Sequence, residues 1–103
     1  MSRNILILGG SYFAGRALVD RLMQEKKGQV HTFNRGNIPL NLSEVNEIYG
    51  DRTDPFSVRH DLPYRTWDVV IDLCAYKPED VEMVLELMNG TIGQYIFVST
   101  ISV

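Results

Sequence analysis

The residues best suited to chemistry stand near the start of the chain. Ile5 to Gly15 reads ILILGGSYFAG. An apolar run ends in Gly9 and Gly10, and Gly15 follows. A turn that receives phosphate needs a glycine for the sharp bend and backbone N–H groups facing the ligand. It also needs a helix N-terminus behind them to meet the negative charge. Gly9 and Gly10 supply the bend, Ser11, Tyr12 and Phe13 complete the loop, and Gly15 lets a helix pack closely on a sheet. The spacing is not G-x-G-x-x-G. It fits a G-x-x-G-x-x-G frame with Tyr12 in the middle position. No Gly-Lys-Ser/Thr follows, which excludes a Walker loop. A strand–helix turn with no ligand is the plain alternative.

Other chemistries find little support. The single cysteine, Cys74, excludes an internal disulfide and a Cys-rich metal site. His31 and His60 are isolated, and no carboxylate/His cluster has ligand spacing, so no metal is expected. A nucleophilic role for Cys74 would need His31 or His60 as partner, and both lie on other segments. Glu79, Asp80 and Glu82 read as helix N-terminal charge on a solvated face. The chain of 103 residues carries a net charge of −3, which argues against nucleic acid as a partner. No apolar stretch approaches the roughly 20 residues that span a bilayer. A cytoplasmic protein with no membrane contact is expected.

The elements that must position the loop follow from the apolar pattern. Asn4 to Leu8 is a short continuous apolar run, as in a parallel strand covered on both faces. Phe13, Ala14, Ala17, Leu18 and Leu22 keep helical spacing, and Gly28 stops that helix. Strands are expected at 29–34 and 44–49, with a loop over 35–43. Asp54-Pro55 is an N-cap with proline at the first helical position, which predicts a helix over 55–61. Trp67 is expected to anchor a loop before a fourth strand at 68–73. Pro78 opens a helix ending at Asn89-Gly90, and a fifth strand covers 95–99. This alternation predicts an α/β fold: a three-layer Rossmann-like parallel sheet of order 3-2-1-4-5, with helices on both faces. A complete domain of that kind has one or two more strands. Residues 1–103 are therefore expected to be the N-terminal part of a longer protein, truncated after the fifth strand. An edge left open there recruits partners, and self-association is expected.

The stretch LILGGSYFAGRALVDRLMQEKKGQVHTFNRG resembles the start of short-chain dehydrogenase/reductases. More narrowly it is similar to their extended and atypical branch, the NAD-dependent epimerase/dehydratases. Gly50-Asp51-Arg52 with Asp54, Asp72-Leu73-Cys74-Ala75 and Tyr95-Ile-Phe-Val-Ser-Thr-Ile-Ser-Val103 match in the same order. The resemblance implies an NAD(P)-binding domain. The parent enzyme would move a hydride to or from a sugar-nucleotide or a similar carbonyl/alcohol substrate.

It also implies roles for residues. At the end of the second strand, NAD-preferring members carry an acid that holds the ribose hydroxyls. This chain has Asn34 there, and Arg35 places a fixed positive charge where a 2′-phosphate would lie. NADP is thus favoured over NAD, with a solvated arginine as the alternative. Asp51 matches the residue that takes the adenine amino group, and the Arg52 backbone or stem matches the neighbour that packs on the ring. A simple turn role for Asp51 stays open. Leu73, Cys74 and Ala75 match the small-residue stretch that lines the cofactor, and Tyr76 falls at the cleft rim or serves equally as a packing residue. Thr100 matches the hydroxyl that bonds the substrate oxygen, though it equally suits a strand-end cap. The family's Tyr-x-x-x-Lys pair does not occur within these residues, so this segment alone is expected to be inactive. Some atypical members lack that tyrosine and act as dinucleotide sensors, interaction modules or RNA binders, and that reading is the alternative.

Overall fold

A computed structural model of the chain describes residues 3–9, 13–25, 28–34, 45–73 and 77–98. The elements in order are β1 (Asn4–Leu8), α1 (Phe13–Glu25), β2 (Gln29–Asn34), β3 (Asn46–Tyr49), α2 (Pro55–Asp61), β4 (Arg65–Asp72), α3 (Pro78–Leu87) and β5 (Gly90–Phe97). The strands form one parallel sheet in the order β3-β2-β1-β4-β5. The order and the helix over 55–61 are as the sequence pattern predicts.

β1 lies at the centre, paired with β2 through Ile5↔Val30 and Leu8↔Phe33, and with β4 through Ile5↔Val69 and Leu8↔Asp72. A central strand buried on both faces must be apolar on both faces, and Ile5 to Leu8 are all buried. The alternation sorts them between two layers. Ile5 and Ile7 pack with Val30, Ile71 and Val19 of α1. Leu6 and Leu8 pack with Phe33, Val70, Val58 of α2 and Val84 of α3. The helices therefore cover opposite faces.

Local chemistry fixes the helix starts. The Asp54 carboxylate accepts the Phe56 N–H at 3.0 Å, and Pro55 occupies the first helical position. Pro78 opens α3, where the Asp80 carboxylate accepts the Lys77 N–H at 3.1 Å.

Strand boundaries differ from the sequence expectation: β3 starts two residues later, at Asn46, β4 ends at Asp72 and β5 at Phe97, and the larger differences are at two strand starts. β4 begins at Arg65 and β5 at Gly90, where Arg65↔Gly90 and Thr66↔Thr91 pair. Residues 65–66 and 90–91 are largely polar and mostly exposed, so they carry no apolar signal. Trp67 is accordingly a fully buried residue within β4, not an anchor in a preceding loop.

His31, likewise, is a core residue, 2% exposed. Its ring meets Trp67 edge-on at 5.0 Å and 88°. Neither His31 Nε2 nor Trp67 Nε1 has a hydrogen-bond partner among the described residues. Burial, with Arg65 adding to it, holds the imidazole below its ordinary pKa. The unfolded chain then binds this proton more readily than the folded one, so stability falls as pH drops below about 6.5. Between pH 7.5 and 5.5, the thermal midpoint of wild type should fall more than that of His31→Leu. Parallel slopes would show that His31 does not contribute.

Candidate functional site

The carboxyl ends of the strands lie side by side. The Gly9 N–H donates to the Phe33 carbonyl at 3.3 Å, and the Gly50 N–H to that of Asn34 at 2.8 Å. The Leu73 N–H donates to the Leu8 carbonyl at 3.0 Å. These bonds carry the ladder one step past the strands. They set Gly50-Asp51, Asn34, Gly9 and Leu73 in a row along one edge. At β1 the order reverses, with β2 on one side and β4 on the other. In open α/β sheets, ligands bind outside the carboxyl ends at such a point. Gly9 has φ 90°, a left-handed conformation that glycine adopts freely, and α1 begins soon after at Phe13. Gly15 is buried within α1.

After β3 the chain passes tightly over the core. A Cβ on Gly50 would lie 2.4 Å from the Phe33 ring and 2.6 Å from Ser57 Oγ. The Asp51 N–H donates to that hydroxyl at 2.7 Å. Asp51 Oδ1 in turn accepts the Thr53 N–H at 2.9 Å and the Thr53 hydroxyl at 2.6 Å. Asp51 thus closes a short turn at the edge of the row.

Arg52 runs inward from this turn and is only 8% exposed. Its guanidinium forms an ion pair with the Asp72 carboxylate, and its Nη2 donates to the Asp80 carbonyl at 2.7 Å. Asp72, at the end of β4, has no exposed surface. Its other oxygen accepts the Tyr95 hydroxyl from β5. Burial and the neighbouring Asp72 push the Tyr95 pKa far above its ordinary value, so the phenol stays a donor. One network therefore ties the loop after β3 to β4, α3 and β5.

Of the predicted site residues, the structure brings Gly9, Asn34, Asp51 and Leu73 into the row. Arg52 is adjacent, but its side chain is committed to the interior rather than turned outward as a stacking surface. Phe13 begins α1. Gly10, Ser11, Tyr12, Arg35, Cys74, Ala75 and Thr100 lie outside the described residues, as does Tyr76. The sequence reading gives no role to Asp72 or Tyr95. The available signal was an acid closing the apolar run DVVID, an expensive place for a charge without a partner.

The network's energetics can be checked directly. Asp72→Ala removes the carboxylate that pairs with the buried Arg52 guanidinium and should cost about 3–5 kcal/mol of stability. Tyr95→Phe removes one hydrogen bond and should cost about 1–3 kcal/mol. Urea denaturation of both variants measures the two losses, and equal losses would contradict this ranking.

Residues 5–95 match the model of the NAD dependent epimerase/dehydratase family. The chain is 31% identical over 115 residues to the chloroplast stem-loop binding protein of 41 kDa b of Arabidopsis thaliana, covering 98% of this chain and 30% of that one. It superposes on a short-chain dehydrogenase/reductase from Veillonella parvula in complex with NADP with a TM-score of 0.71 at 18% identity, over 97% of this chain and 48% of that one. For the dTDP-glucose 4,6-dehydratase of Bacillus anthracis in complex with NAD, the TM-score is 0.62 at 18% identity, over 90% and 37%. The chain spans less than half the length of each of these relatives. Its sequence match and its parallel sheet agree: this chain belongs to the NAD-dependent epimerase/dehydratase family and carries that family's Rossmann-type fold.

Proposed function

We propose that the chain is the NAD(P)-binding part of an epimerase/dehydratase-like oxidoreductase acting on a sugar-nucleotide or similar carbonyl/alcohol substrate. The observation that carries the reading is the hydrogen-bonded row of strand ends at the reversal point, with a left-handed Gly9 turn and a helix start beside it. The described residues fit a dinucleotide. Gly9 keeps side-chain bulk off the turn, and Asp72, the register partner of the preceding Leu8, is already paired with Arg52.

In this reading Gly9, Gly10, Ser11, Tyr12 and the start of α1 at Phe13 hold the pyrophosphate through main-chain N–H groups. Asn34 and Arg35 meet the adenosine ribose, and Asp51 meets the adenine. Leu73, Cys74 and Ala75 line the path toward the nicotinamide, and Thr100 holds the substrate oxygen. When bound, the cofactor supplies or accepts the hydride. The residues of this chain bind it and orient it, while a proton-moving Tyr-x-x-x-Lys pair would have to come from further along a longer parent protein. A single charge at Arg35 supports NADP as the preferred form. Titration with NADPH and NADH tests this: Arg35→Ala should lower the NADPH/NADH affinity ratio by on the order of tenfold, the scale of one charge-assisted contact. An unchanged ratio would remove Arg35 from the specificity role.

A second reading, a non-catalytic module, is supported by the relative that is a stem-loop binding protein. A stem-loop RNA that binds with an affinity unaffected by saturating NADPH, in a parent protein without Tyr-x-x-x-Lys, would favour it. The net charge of −3 weighs against it for this segment.

β5 is an outer strand of the sheet, with Ile96 and Phe97 exposed on it and Val98 exposed just past its end. Open apolar edges pair with other chains, so the isolated segment should self-associate. Sedimentation velocity should show oligomers growing with concentration, and a monomer throughout would rule this out.

A further inference from the structure

Asp72 and the Gly9 turn are close neighbours. The Cα of Asp72 is the register partner of Leu8, and the next residue, Leu73, bonds the Leu8 carbonyl. A bare carboxylate at this point, buried and poorly screened, would repel an anion held at the turn. Arg52 answers that charge from across the row, since its loop follows β3 at the far end of the sheet. The other acids on these segments, Asp51 and Asp80, are only half-buried and accept bonds from Thr53 and Lys77. Tyr95 adds a hydrogen bond to Asp72 but no charge.

We propose that Arg52 is an electrostatic positioning residue for the dinucleotide: by neutralising Asp72 it makes the Gly9 turn hospitable to pyrophosphate. The same bond fastens the adenine-side loop to the end of β4 and the first turn of α3. This rests on the dinucleotide reading above. It also explains why a residue matched to the adenine end reaches toward the middle of the sheet. Arg52 acts through Asp72 and touches no ligand itself.

The test compares binding of NADPH, inorganic pyrophosphate and adenosine to the full-length protein and three variants, with circular dichroism confirming that each is folded. Arg52→Met should weaken NADPH and pyrophosphate by on the order of tenfold at low salt, the effect of uncovering one nearby charge, and weaken adenosine far less than either anion. Asp72→Asn, which removes the carboxylate charge while Arg52 keeps its own, should tighten both anions by a similar factor although it lowers the melting temperature. Arg52→Lys keeps the charge and loses the fork of donors, and should stay within about threefold of wild type.

Loss of packing alone cannot move the first two variants in opposite directions. If Arg52→Met and Asp72→Asn both weaken pyrophosphate, or adenosine weakens in step with it, the inference is overturned. If either variant fails to fold, Arg52→Lys decides: retained anion affinity supports the charge role, and lost affinity overturns it. If wild type binds none of the three probes, the dinucleotide reading falls and the inference with it. If wild type binds and the variants move together, only the inference falls.

Discussion

A carboxylate with no exposed surface must be met by charge and hydrogen bonds where it stands. In this protein Asp72 is that group, and meeting it draws on much of the sheet. Arg52 arrives from the loop after β3, Tyr95 from β5, and the Arg52 fork also takes the Asp80 carbonyl of α3. These segments belong to different strands and helices, and the sheet ladder alone joins only neighbouring strands. The buried pair links β3 to β4 across two intervening strands. Hydrocarbon in place of such a pair gives a core of comparable stability in many proteins, since buried ion pairs often do no better than good packing. What hydrocarbon would not give is a directional tie between the two ends of the row.

Apolar packing and site are spatially divided in this fold. The two apolar layers on either face of the sheet, one under α1 and one under α2 and α3, hold β1 in place. The chemistry of interest lies at the carboxyl edge, where main-chain groups emerge from that packed centre. A turn on the end of a strand clamped on both sides is positioned by the whole core.

Much of this was legible in the amino-acid pattern. Ile5 to Leu8 read as a doubly covered strand because nothing polar interrupts them, and Asp54-Pro55 and Pro78 marked helix starts through their capping chemistry. The strand order then set Asp51, Asn34, Gly9 and Leu73 in one row. The starts of β4 and β5 were not legible, because residues 65–66 and 90–91 pair through backbone while their side chains stay mostly at the surface. The direction of the Arg52 side chain was hidden for a different reason. Its partner lies twenty positions away, and only the folded sheet brings the two together. His31 is a third case: an isolated histidine on a strand has no readable role until Trp67 is seen against it.

The central place of β1 also bears on the order in which the molecule can assemble. One flank of β1 is satisfied early, by β2, which follows after one helix. The other flank waits for β4, and the Asn4 N–H finds the Asp68 carboxylate across 64 residues of chain. Closing so large a loop is slow, because its entropy must be spent before the contact repays it. During synthesis the first strand and its helix leave the ribosome well before their second neighbour exists. An apolar ribbon with one open side is thus the species that the growing chain presents longest. Whatever protects the nascent protein has to guard that flank until Asp68 to Asp72 emerge.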